Sequence, residues 1–148
     1  ANSKYSKPKF IKGDIYNLDK IDGTFDLIVC FAVIQHISDL ELVLKNVKSK
    51  LKDTIHSRAL FTTINKNSIF NRNYFGCKLS TLKDKHNFNL NLFSKEQYIK
   101  FSKLSGLKLT KYQFLYILPK PFGFLSSFAS KFLPSSFSHH IFVEMKHA

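Results

Sequence analysis

The stretch Gly23–Ile37, GTFDLIVCFAVIQHI, constrains the fold of this 148-residue chain more than any other. Leu27–Val33 is a nearly continuous apolar run. A strand that is apolar on successive side chains is one covered on both faces, as in a parallel α/β sheet. A turn at Gly23 delivers the chain to this run, and Gln35 and His36 follow it at once. Open α/β sheets bind ligands outside the carboxyl ends of their strands, so the polar pair stands where chemistry is expected.

The flanking residues extend the pattern in both directions. Lys9–Lys12 reads as a short strand ending in Gly13-Asp14, a turn pair whose carboxylate points out of the sheet. Ser38 and Glu41 have the spacing of a capping box. Leu40, Leu44, Val47 and Leu51 then recur at helical spacing, which predicts an amphipathic helix over 39–51. Arg58–Ile64, RALFTTI, is the next strand. Strand, helix and strand in about 40 residues make a βαβ unit, with a right-handed crossover expected.

The second half is less regular. Asn65–Asn91 is rich in Asn and aromatics and reads as an inserted cap or loop, partly helical around Ile69–Leu82. Ser94 and Gln97 form a second capping box, and Gly106 is placed to end the helix that follows. Leu107–Ile117 reads as a strand. Between Pro121 and Pro134, Phe122–Leu133 carries an apolar stripe at helical spacing. His140–Lys146 is a terminal strand with Ile141, Val143 and Met145 on one face.

Composition sets the class. Hydrophobic residues make up 44% and charged residues 22%, the balance of a globular chain and not a disordered one. The length fits one domain. The net charge of +13 invites a nucleic-acid or anionic-membrane partner. The lysines are scattered, however, and Lys45, Lys48, Lys50 and Lys52 gather where they offset a helix dipole. A solvated lysine-rich surface is therefore favoured over a nucleic-acid face. Two cysteines, Cys30 and Cys77, suggest no disulfide framework, and a reducing cytoplasm is expected. The N-terminal ANSKYSKPKF has no apolar signal core. No stretch reaches the roughly 20 uninterrupted apolar residues of a membrane span.

Three clusters are weighed and set aside. His139-His140 lacks companion ligands at a metal-like spacing and reads as a strand start, so no metal site is expected. Cys77 is a nucleophile only beside a basic partner; a bystander thiol is the commoner case. The Phe122–Leu133 stripe could touch a lipid surface, but a helix packed over the sheet or a ligand site is the commoner explanation.

The order of these pieces resembles the C-terminal two-thirds of a class I S-adenosylmethionine-dependent methyltransferase. The matching pieces are Gly13-Asp14 after a short strand, Phe25-Asp26-Leu27-Ile28-Val29 entering the central strand, and Val33-Ile34-Gln35-His36-Ile37 after it. A helix ending in Lys50-Leu51-Lys52, the Ser-x-x-Gln helix, the Leu-Ser-Gly-Leu turn and the last strand HHIFVEMK follow in family order. The family's glycine-rich loop has no counterpart, nor does the acidic residue at the end of its second strand. Both would lie upstream of Ala1. The Gly-Gly pair that commonly precedes the strand at 58–64 is replaced by Asp53-Thr54-Ile55-His56-Ser57.

The resemblance implies an α/β fold: an incomplete Rossmann-like methyltransferase sheet, mostly parallel, with an antiparallel C-terminal strand. Residues 1–148 would be a single partial domain, with cap insertions at 65–93 and 118–138. The implied cofactor is S-adenosylmethionine, and the implied function is methyl transfer to a small-molecule or glycan-type acceptor. Asp14 would accept a hydrogen bond from the adenine amino group, with Ile15 on the base and the backbone of Phe31 and Ala32 beside the methionine end. That role for Asp14 is put ahead of mere turn closure, because a strand-end carboxylate has little structural need. His36 would be general base or acceptor-orienting group, imidazole being the side chain that changes charge near neutral pH. A His packed at a helix entry is an equal reading. Gln35 would position the acceptor or face solvent; some relatives carry a Glu-His pair here, and Gln35 lacks that metal-binding carboxylate. The alternatives are an RNA methyltransferase or basic nucleic-acid-binding module, and a non-catalytic remnant.

Overall fold

The computed structural model describes residues 8–65, 67–69, 82–83, 89–115, 131–138 and 140–148. Its first strand, β1, is Leu27–Phe31, and a 3₁₀ turn at Ile34–His36 leads into helix α1, Leu40–Lys50. Strand β2 follows at Arg58–Ile64, then a short antiparallel pair, β3 at Leu82–Lys83 and β4 at Asn89–Leu90. Helix α2 is Lys95–Leu104, strand β5 Leu107–Leu115 and strand β6 His140–His147. Four strands form one sheet in the order β1-β2-β6-β5. β1 and β2 are parallel, and β6 is antiparallel to both its neighbours. Three of the four strands thus share a direction and the C-terminal strand opposes them. This is the expected Rossmann-like arrangement.

Register places the core. Ala59 pairs with Met145, Phe61 with Val143 and Thr63 with Ile141, so these side chains share one face of the sheet. All six are buried there, and the buried residues join Leu40, Val43, Leu44 and Val47 of α1 and Tyr98 of α2 in one cluster. Each fully buried large side chain in it is worth about 1.5–3 kcal/mol of transfer free energy. Burial also pushes the Tyr98 hydroxyl up, and the nearby Tyr112 and Cys30 add to that.

The helix ends are specified locally. Ser94 and Gln97 form the reciprocal capping box that starts α2. Gly106 ends it at φ +70°, where an added Cβ would also meet Lys48 Cε at 3.0 Å. The start of α1 departs from expectation. Asp39, and not Ser38, is its N-cap, accepting from the Leu42 N–H at 3.0 Å. Ser38 N–H is instead bonded to the Tyr16 hydroxyl, and Glu41 pairs with Lys45. A long-range partner outbid the local one.

Two further expectations fail for one reason. Lys9–Lys12 forms no strand, and Phe10 is 92% exposed. The apolar run at Leu27–Val33 is a strand only to Phe31, and it is not covered on both faces: Leu27, Val29 and Phe31 are 51%, 44% and 63% exposed. Strands need a neighbour for their backbone groups and a layer for each face. Among the described residues β1 has a neighbour on one side alone. The cap regions expected at 65–93 and 118–138 lie largely outside the described residues, as do Cys77, His139 and most of the Phe122–Leu133 stripe. Its described end, Lys131–Leu133, is exposed.

Candidate functional site

The open side of β1 borders a groove of ≈ 770 Å³. Asp14, Ile15, Val29 and Phe31 line it, with Ile11, Gly13 and Phe25. The period of two puts Leu27, Val29 and Phe31 on the uncovered face, while Cys30, on the other, is buried in the core. Burial pushes the Cys30 thiol up, with backbone donors at Ile34 and Val33 only partly offsetting it, so this thiol is suited to packing and not to nucleophilic attack.

Asp14 opens a tight turn. Asn17 N–H bonds to its carbonyl at 2.9 Å, and Tyr16 N–H bonds to its Oδ1 at 2.9 Å. The carboxylate therefore does have a structural task, contrary to the expectation that a carboxylate here has little structural need. One oxygen closes the turn, and the residue lines the groove.

The exit from β1 is bent at Ala32, whose φ of +55° is the one positive value at a non-glycine among the described residues. Such a conformation costs a residue with a Cβ about 1–2 kcal/mol. Its amide is held by Thr62, at 3.2 Å to the carbonyl and 3.1 Å to the hydroxyl. The 3₁₀ turn that follows buries Gln35 and leaves His36 exposed. Gln35 thus does not face solvent, and its Oε1 has no hydrogen-bond partner among the described residues. Asn91 fastens this loop from β4's side: its N–H reaches the Gln35 carbonyl at 2.6 Å and its side chain the Ile37 carbonyl at 2.7 Å.

The structure thus gathers Asp14, Ile15 and Phe31 on one groove, places Ala32 next to it in chain, and puts Gln35 and His36 on the loop beyond. The residues missed by sequence reasoning are those that hold this assembly: Tyr16, Asn46, Thr62 and Asn91. Asn46 alone carried a signal, as the one amide side chain in helix α1.

A second groove, of ≈ 620 Å³ between α2 and β5, contains none of these residues. Lys95, Lys103, Lys108 and Lys111 line it.

Residues 1–54 match the family model described as a methyltransferase domain. No curated protein matches the chain in sequence. Solved structures do match its fold. An S-adenosylmethionine-dependent methyltransferase from Clostridium acetobutylicum is similar at 17% identity and a TM-score of 0.67, over 96% of this chain and 65% of that one. One from Archaeoglobus fulgidus is similar at 14% identity and a TM-score of 0.64, over 92% and 66%. Magnesium protoporphyrin IX methyltransferase from Synechocystis, with bound SAH, is similar at 11% identity and a TM-score of 0.55, over 96% and 52%. The chain therefore spans two thirds or less of the length of these proteins.

Proposed function

We propose, for a chain that has the fold of the class I S-adenosylmethionine-dependent methyltransferases, that its protein transfers a methyl group from S-adenosylmethionine to a small-molecule or glycan-type acceptor. The observation that carries this is the meeting of Asp14, Ile15 and Phe31 on one groove at the open side of β1, just before the strained Ala32. Backbone strain held in place by Thr62 is the kind that persists where a site needs it. The groove fits the cofactor chemically: it has an acceptor oxygen for an adenine amino group and apolar walls for a flat base.

When bound, the cofactor supplies an electrophilic methyl on sulfur. The chain's task is then alignment, since in-line displacement gains most from a fixed geometry. The Asp14 carboxylate would accept from the adenine amino group and Ile15 would pack on the base. The backbone of Phe31 and Ala32 borders the methionine end. Gln35 orients the acceptor, because a bound hydroxyl would satisfy its Oε1, which has no partner among the described residues. His36, exposed on the same loop, removes the acceptor proton. The small-molecule acceptor class draws support from the neighbour named for magnesium protoporphyrin.

Calorimetry of the full-length protein with S-adenosylmethionine tests the reading, and no binding would end it. His36→Ala should lower kcat roughly 100-fold or more with cofactor affinity kept; unchanged turnover removes His36 as base. The lysine-lined groove favours one second reading, a nucleic-acid surface. Binding of a nucleic acid that falls steeply with salt, about one counterion per neutralised phosphate, would support it. No retention at low salt would remove it.

A further inference from the structure

The turn that carries Asp14 and Ile15 is tied to α1 at two places. At one, the Tyr16 hydroxyl lies 2.7 Å from Ser38 N, 3.4 Å from Asp39 N and 3.1 Å from Ser38 Oγ. It accepts from two backbone N–H groups at a helix start, where no intrahelical partner exists for them. At the other, Asn46 Nδ2 donates to the Tyr16 carbonyl at 2.8 Å and the Ile15 carbonyl at 3.2 Å. Asp39 and Asn46 are about 10 Å apart along the axis at 1.5 Å per residue. Two anchors at that separation fix the turn's orientation as well as its position. Helix α1 is itself anchored, because its Leu40, Val43, Leu44 and Val47 are buried in the core. The residues bonded by Tyr16 are the ones that directly follow Gln35, His36 and Ile37.

We propose that Tyr16 and Asn46 join the Asp14–Asn17 turn and the Gln35–Asp39 loop into one body, making Tyr16 a positioning residue that sets His36 relative to whatever occupies the groove at Asp14. The inference rests on the proposed methyl transfer only for the identity of that occupant. Tyr16 is suited to the task by reach: its ring spans from the turn to the helix start, and Ile15, Tyr16 and Leu18 all pack against the core. Burial pushes its hydroxyl up, but the donors at Ser38 and Asp39 outweigh that and the net shift is downward, as for an oxygen that works as an acceptor.

Tyr16→Phe keeps the ring and removes only the hydroxyl. In the full-length protein, amide hydrogen exchange at Ser38 and Asp39 should quicken about tenfold in this variant, with the amides of α1's middle unchanged. Equal exchange in both proteins would overturn the fastening. S-adenosylmethionine added to the wild type should shift the His36 imidazole resonances; in Tyr16→Phe that shift should be lost, and kcat should fall about tenfold while the cofactor KM stays within about threefold. A risen KM with unchanged kcat, or a His36 response identical in the two proteins, would mean that Tyr16 merely shapes the groove. The exchange measurement reads the fastening even in a protein that transfers no methyl group, so the two proposals fail separately.

Discussion

β1 and β6 each carry a row of apolar side chains at alternate positions of one sheet, and the two rows meet opposite conditions. In β6, Ile141, Val143 and Met145 are 2%, 0% and 0% exposed, between β2 and β5 and under the helices. In β1, the alternate residues Leu27, Val29 and Phe31 stand open beside the groove. Apolar character alone explains neither outcome. A strand's burial comes from the layers and neighbours that reach it, and in this fold the packed end holds the sheet while the open end holds the candidate site.

The sharpest way to break that contrast is to shorten one packed and one open phenylalanine. Phe61→Ala, in the packed region, should cost about 3–5 kcal/mol of stability in denaturant unfolding. Phe31→Ala should cost less than about 1 kcal/mol, since most of its side chain is exposed. Comparable losses would mean that β1 is covered in solution.

A smaller effect is expected from Asp14→Asn, which keeps the turn's acceptor and removes the charge. Calorimetry with the full-length protein should show S-adenosylmethionine binding weakened by about 1.5–3 kcal/mol, with the unfolding midpoint little changed. Weakened folding with intact binding would assign the carboxylate wholly to its bond with Tyr16.

The smallest effect should come from Ala32→Gly. Relief of the positive φ outweighs the added freedom of the unfolded chain, for a net gain of up to about 1 kcal/mol. If turnover falls while stability rises, the strain serves the site; if both rise, it does not.

Much of the fold was legible because it is local. The strand Arg58–Ile64 has the bounds that its β-branched residues predicted. Ser94, Gln97 and Gly106 mark α2 through bonds spanning only a few residues. What could not be read was the partner of each polar group across the chain. Ser38 had a correct capping spacing and still lost its role, because Tyr16, 22 residues earlier, reached its amide first. For Asp14 the ligand role stood ahead of turn closure, because nothing in its spacing disclosed the bond from Tyr16 N–H.

By itself the sequence determined most of the elements and their order, because periodicity and capping are written in neighbouring residues. It also placed Asp14, Phe31 and His36 near strand ends, through the resemblance of their motifs. Only the tertiary structure decided which apolar faces are covered, and that the turn at Asp14 and the loop at His36 are fastened to one helix. Those outcomes depend on contacts between residues tens of positions apart, where hydrogen-bond reach and sheet order choose among groups that are equivalent in the linear chain.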